Sequence, residues 1–369
     1  MEKTSKFFSN IWGLVISGSI IGFAGPLLVN LGNPGNMGLC IACFIRDTVG
    51  ALGLHRVDTV QYIRPELLGI VLGALIAALI FGEHKPRGGS SPSIRFMLGF
   101  FAMIGALVFL GCPWRAYFRL AGGDMNAVVG IIGLIAGISI AMVFFKSGFS
   151  LGKSHDLPKG AGWIMPTIAI TLLVFLILKP LFAVDTAGSP TGPIFQSVKG
   201  PGSMIAPILI ALIVGLIVGI VAQKSRFCSV GAIRNAMFFK DFTLLWGVIA
   251  FILIAFVTNI GFGQFKLGFV DQPVAHTDML WNFGGMLLAG IAFTLAGGCP
   301  ARMLVLTGEG DNDAVIFILG MAAGAAMGMN MSFASSPKGV GLFGPIVTCI
   351  GIAFCILIGL TMKEKVKNA

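Results

Sequence analysis

The sequence predicts an all-α integral membrane protein, with about ten transmembrane helices, short re-entrant helices and an inverted internal repeat. Three observations predict it. Of 369 residues, 56% are hydrophobic and only 11% are charged. A soluble domain carries about 25% charged residues, so this chain lacks the charge to solvate a free surface, and soluble-enzyme, disordered and disulfide-scaffold classes are excluded. The apolar residues gather into runs long enough to span a bilayer, and two cysteine motifs recur at an almost constant separation.

The spans follow in order. Apolar runs suited to crossing a membrane occupy residues 11–30, 67–82, 96–111, 127–145, 162–183, 204–222, 242–262, 281–298, 314–333 and 341–361. Each approaches the length of about 20 apolar residues that a helical span needs. The first run has no A-x-A-like site after it and has a counterpart later in the chain, so it is read as a helix, not as a leader. The chain is expected to form one membrane domain over residues 1–369. A first repeat runs over 11–146, a linking helix over 162–183, a second repeat over 204–333 and a last helix over 341–361.

Basic residues set the expected sidedness. With Lys3 and Lys6 inside, ten spans put Lys363, Lys365 and Lys367 inside as well. The inside loops then carry 16 of the 25 Lys and Arg. The net charge of +10 is accounted for mainly in this way. Small residues recur four apart within the spans (Gly18 and Gly22, Gly69 and Gly73, Gly133 and Gly137, Gly215 and Gly219, Gly320, Gly324 and Gly328). Such spacing lets helix backbones approach closely.

The duplication is the most informative feature. Residues 36–47 align with 224–235, matching Cys40 to Cys228 and Arg46 to Arg234 at an offset of 188. Leu110-Gly-Cys112-Pro113-Trp-Arg115 aligns with Gly297-Gly-Cys299-Pro300-Ala-Arg302 at an offset of 187, and Gly123-Asp124 with Gly310-Asp311. Corresponding spans are five apart, an odd number, so the copies run oppositely through the bilayer, an organisation common in secondary transporters. Each motif joins two spans through Gly, Pro and Arg, as a short re-entrant helix would. Irregular backbone survives at membrane depth only where protein or a water-filled cavity covers it. Four such motifs entering from both sides would meet on one axis lined by thiols and Arg.

The candidate path residues are therefore Cys40, Cys112, Cys228 and Cys299. Cys43 is an accessory thiol, since the second copy has Gly231 at its place. Cys349 and Cys355 read as small apolar fillers of the last span. Arg46, Arg115, Arg234 and Arg302 have two readings: anchors for loops and headgroups, or an electropositive mouth at each end that draws in an anion. Asp47 and Asp124 are expected to pair with the Arg of their own motif. No metal site or cofactor is expected, because one Cys-x-x-Cys and four scattered His lack ligand spacing. Nothing resembles a nucleic-acid module. With no Walker loop and no acid or Lys deep in a span, passage of a small solute is favoured over an ATP-driven or proton-relay pump.

With these residues in view, the chain resembles the YeeE/YedE sulfur-transport family of bacterial inner-membrane proteins. The resemblance rests on Gly-x-Cys at 38–40, Gly-Cys-Pro at 111–113, Ser-Arg-Phe-Cys-Ser at 225–229 and Gly-Gly-Cys-Pro at 297–300. Residues 32–47 are similar to the YedE subgroup associated with selenium metabolism. The resemblance implies uptake of a small inorganic sulfur or selenium species, such as thiosulfate, through a narrow path whose contacts are the four matching cysteines. It also implies an inner-membrane location and a separate small cytoplasmic sulfur-carrier protein as partner, while the basic residues put both termini on the cytoplasmic side. Thiols suit such a substrate, because they are weak donors on a soft, polarisable sulfur. Two rivals stay open at this stage: a membrane thiol-disulfide oxidoreductase using Cys40 and Cys43, and an accessory membrane subunit in which no single Cys matters.

Overall fold

The computed structural model describes residues 10–178 and 192–363. Lys3, Lys6, Lys365, Lys367 and positions 179–183 of the expected linking helix lie outside them. Every apolar run became a helix. The ten long helices are α1 (Ile11–Asn30), α3 (Pro65–Ile80), α4 (Pro92–Phe109), α6 (Asn126–Lys146), α7 (Ile164–Leu178), α8 (Ile208–Ser225), α10 (Thr243–Gly261), α11 (Met279–Ala296), α13 (Asn312–Asn330) and α14 (Gly344–Thr361). Among the described residues, nine helical segments are long and apolar enough to cross a membrane, and α3 is a shorter apolar helix of 16 residues. Four short helices intervene: α2 (Ile41–Ala51), α5 (Pro113–Ala121), α9 (Ser229–Arg234) and α12 (Pro300–Gly308). The chain is an all-α membrane protein, with a two-residue strand pair, β1 (Arg87–Gly88) with β2 (His155–Asp156), as its small sheet.

Local chemistry starts these helices. Asn10, Asp278 and Asp311 cap α1, α11 and α13 by accepting from the backbone N–H groups of Gly13, Trp281 and Ala314, which satisfies donors that the first helical turn leaves free. α3, α4, α5, α12 and α14 open with Pro in the first turn, where its missing N–H costs nothing.

Packing is by long helix pairs: α1 on α10, α3 on α8, α4 on α13, α6 on α11, and α4 on α11 at the centre. Glycine makes these approaches. A Cβ at Gly18 would strike the Gly247 carbonyl, one at Gly73 the Leu216 carbonyl, one at Gly137 the Leu287 carbonyl, and one at Gly320 the Phe96 carbonyl. The four-residue glycine spacing therefore serves backbone contact between helices. Large side chains such as Trp12, Phe23, Leu209, Leu253 and Leu357 point outward, as an apolar solvent permits.

The loops gather at two ends. At one end the segment after α2 meets residues 192–207: Phe195 N donates to Ala51 O at 2.7 Å, and Gly202 N to Thr59 O at 2.7 Å. At the other end Lys85 N donates to Glu309 O at 2.9 Å, and Arg87 pairs with Asp311 at 2.8 Å. Charged residues also lie buried at the ends of long helices. Glu66, in the first turn of α3, and Lys224, in the last turn of α8, are both buried. Each has a polar partner: Asn33 donates to Glu66 at 2.6 Å, and Lys224 pairs with Glu83 at 2.9 Å.

Candidate functional site

The four duplicated cysteines occupy equivalent places. Each is the N-cap residue of a short helix: Cys40 of α2, Cys112 of α5, Cys228 of α9 and Cys299 of α12. The chain is bent to put them there. Leu110 and Arg226 take left-handed conformations at φ 64° and 52°, and Gly297 does so at 104°. Each ends a long helix just before the cysteine. Leu110 has a side chain where glycine would be relaxed, so the turn between α4 and α5 holds a locally unfavourable backbone.

All four thiols are buried. The Cys40 sulfur accepts from Cys43 N at 3.3 Å, and the Cys228 sulfur accepts from Gly231 N at 3.3 Å. The Cys228 sulfur also accepts from Cys299 N at 3.5 Å. Cys40 and Cys112 lie within hydrogen-bonding reach of one another, as do Cys228 and Cys299. The Cys112 thiol further faces the backbone N–H groups of Ala42 and Arg115. Two thiol pairs result, one from each copy of the motif, each set among the free amides of two helix starts. Such amides carry partial positive charge and favour anions. Three Cys-bearing helices, α2, α5 and α12, are nine residues or longer.

Tyr117, on α5, stands between the pairs, within electrostatic reach of Cys112, Cys228 and Cys299. Its ring packs edge-on against Phe251, which also meets Trp114 and Phe118. Cys43 lies one turn into α2, its sulfur facing Arg115. Cys355 is buried in α14 and Cys349 is exposed. Among the described residues no three His, Cys, Asp or Glu side chains form a metal-binding group.

The four Arg divide by partner. Arg46 pairs with Asp47 at 2.6 Å and Arg302 with Glu309 at 3.0 Å. Arg234 is half-buried and donates to Asn235 at 3.2 Å. Arg115 holds two loop carbonyls. It is buried beside the first thiol pair and donates to the carbonyls of Asn36 and Val274. Asp124 departs from expectation: its partner is Arg119 at 2.6 Å, one turn beyond Arg115 on α5. Arg119 also reaches the Phe109 carbonyl and stacks over the Phe109 ring at 4.3 Å. Arg64, equally unforeseen, takes the second oxygen of Asp47 at 2.8 Å and ties it to the carbonyls of Pro201 and Met204.

Sequence reasoning passed over Tyr117 and Ser229. A signal was present for each. The chain has only two Tyr, and Ser229 follows Cys228 where the first copy has Ile41.

Comparison with known proteins covers the second half of the chain. Residues 224–361 match the family model described as sulphur transport. That stretch contains Cys228, Ser229, Arg234, Cys299 and Arg302. Over 107 residues the chain is 30% identical to the thiosulfate transporter TsuA of Spirochaeta thermophila, covering 27% of this chain and 29% of that protein. Over 108 residues it is 29% identical to the thiosulfate transporter TsuA of Escherichia coli K12, covering 29% and 30%. The chain thus matches under a third of the length of these curated relatives.

Proposed function

We propose that this protein is a transporter that carries a small inorganic sulfur anion, thiosulfate or a selenium analogue, across the bacterial inner membrane. The observation that carries the reading is the joint placement of Cys40, Cys112, Cys228 and Cys299. Four N-cap thiols form two buried pairs in the interior of an apolar helix bundle, among backbone amides that favour negative charge. The similarity of residues 224–361 to sulphur-transport proteins supports the same substrate class.

The chemistry follows from the side chains. A thiol is a poor partner for the hard oxygens of hydrated sulfate and a better one for a terminal sulfur or selenium. Weak successive contacts let an ion enter and leave, which conduction requires. The substrate passes from Cys40 and Cys112 to Cys228 and Cys299, or the reverse, with Arg115 offsetting its charge.

The two motif copies belong to inverted halves. Matching each first-copy helix to its second-copy equivalent turns the pair α1–α10 into α8–α3, α4–α13 into α11–α6, and α5–α10 into α12–α3, and all of these pairs occur. Arg46 and Arg302 then act at opposite ends as paired loop anchors, and Arg234 as a less neutralised charge. A small cytoplasmic sulfur-carrier protein receives the product, and both termini face it.

The test replaces Cys40, Cys112, Cys228 and Cys299 singly by Ser and follows labelled thiosulfate and selenium compounds into cells that lack other routes. Strong loss is expected at Cys112 and Cys299, and intermediate loss at Cys40 and Cys228. Normal uptake by all four variants removes the thiol path. Uptake of neither element by the unmodified protein removes the transport reading. Alkylation of Cys40 and Cys43 with and without reductant identifies a thiol-exchange enzyme should transport be absent.

A further inference from the structure

Buried polar atoms nearly always have partners. Near the thiol pairs, three have none among the described residues: Tyr117 Oη, Ser229 Oγ and Trp114 Nε1. Tyr117 is 2% exposed, Ser229 0% and Trp114 1%. They converge from two elements. Trp114 and Tyr117 are three apart on α5 and so share one of its faces, and both rings pack on Phe251. Ser229 is the first residue of α9, next to Cys228, and its hydroxyl faces that of Tyr117 without meeting hydrogen-bond geometry. The Cys299 thiol approaches the Ser229 backbone N–H as well. The interior between the two sulfur pairs thus holds hydroxyl groups with hydrogen-bonding capacity to spare. A packed interior gains nothing from such groups: a buried hydroxyl without a partner costs stability, and an apolar group of the same shape would avoid that cost.

We propose that Tyr117 and Ser229 form an oxygen-binding station between the two thiol pairs, donating to the oxygens of an oxo-sulfur anion whose soft end the thiols hold. This deepens the transport reading above and rests on it. The station makes passage depend on both ends of the anion. Thiols alone admit any soft anion. Hydroxyl donors add a preference for one that also carries oxygens, because a site built to hydrogen-bond a group discriminates against an analogue lacking it. Trp114 Nε1 is a third donor on the same face.

The test uses the full chain in proteoliposomes, labelled thiosulfate as the transported ion, and thiocyanate as a competitor with a soft sulfur and no oxygen. Tyr117→Phe and Ser229→Ala are each expected to raise the KM for thiosulfate about tenfold, the effect of one lost hydrogen bond to a charged group. The inhibition constant of thiocyanate should not change. The thermal midpoint of either purified variant should equal or exceed that of the unmodified protein, because a partnerless hydroxyl has been removed. Thiocyanate that fails to inhibit even the unmodified protein also supports an oxygen requirement, and KM and midpoint then decide. An unchanged thiosulfate KM in both variants, or a parallel weakening of both anions with a lowered midpoint, overturns the station while leaving the thiol path standing. Absence of thiosulfate transport by the unmodified protein overturns the underlying reading, and the station with it.

Discussion

Arg115 Nη1 donates to the Cys43 sulfur at 3.1 Å. Its other hydrogen bonds among the described residues go to the Asn36 and Val274 carbonyls at 3.3 and 3.0 Å. Arg46 and Arg302, by contrast, each face a carboxylate. A buried guanidinium held by carbonyls and a thiol has no carboxylate against it among the described residues. Its charge can offset an anion that has left its hydration shell.

Arg115→Gln is therefore expected to cut thiosulfate uptake by at least about tenfold, the loss of one charged hydrogen-bonding partner. Arg115→Lys retains the charge but cannot span both carbonyls, and should fall between the two. Arg302→Gln should do less, because its partner Glu309 also faces Arg87 at 3.8 Å. Initial uptake rates, normalised to the amount of protein in the membrane, check the order.

Asp47 holds two cations with one carboxylate. Its Oδ1 takes Arg46 and its Oδ2 takes Arg64, and both Asp47 and Arg64 are 0% exposed. Removing one member of a buried ion cluster leaves uncompensated charge and costs about 3–5 kcal/mol. Asp47→Asn should thus lower the thermal midpoint and the membrane abundance sharply. A variant with the midpoint of the unmodified protein would show that water reaches these guanidinium groups.

The glycine contacts separate by neighbour. Gly18 and Gly22 face the carbonyls of Gly247 and Phe251 on α10, whereas Gly261, at the end of the same helix, has open space around it. Gly18→Val and Gly22→Val should each destabilise by about 1–3 kcal/mol through overpacking, read as a lowered midpoint in detergent. Gly261→Val should leave the midpoint nearly unchanged.

Legibility differed by kind of interaction. The span α1 over 11–30 matches its apolar run residue for residue, and α10 over 243–261 lies within the expected 242–262, because lipid imposes one dominant pattern on such segments. The N-cap cysteines were legible too, since Gly-x-Cys at Cys40 and Cys-Pro at Cys112 and Cys299 break the helix, and Cys228 follows from its alignment with Cys40. Of the ion pairs, Arg46 with Asp47 was legible and the others were not. Asp124 has Arg115 and Arg119 on the same short helix, and it pairs with the second, while Arg115 turns to the Asn36 and Val274 carbonyls. Arg64 reaches Asp47 across 17 residues and Pro201 across 137, separations at which no sequence period applies. Tyr117 and Ser229 left a faint signal, but their want of partners among the described residues shows only in the fold.

His276 gives the pH dependence a sign. It lies in the loop before α11, outside the spans, and is buried. Its Nε2 donates to the Val108 carbonyl at 2.8 Å, while its Nδ1 accepts from Asp278 N at 3.2 Å. That arrangement requires the neutral ring, and burial, the largest influence, pushes its pKa below the ordinary value. His55 is lowered in the same way, again chiefly by burial. A histidine whose pKa is depressed on folding binds protons more readily when unfolded. Its contribution is complete above the ordinary value of about 6.5 and declines as pH falls toward the folded value. The thermal midpoint of the purified protein should therefore drop as pH is lowered from about 7.5 to about 5.5. His276→Gln, which retains a donor for Val108, should flatten that slope in part, and the double variant with His55→Gln should flatten it further. A slope unchanged by both substitutions would assign the acid sensitivity to groups other than these two histidines.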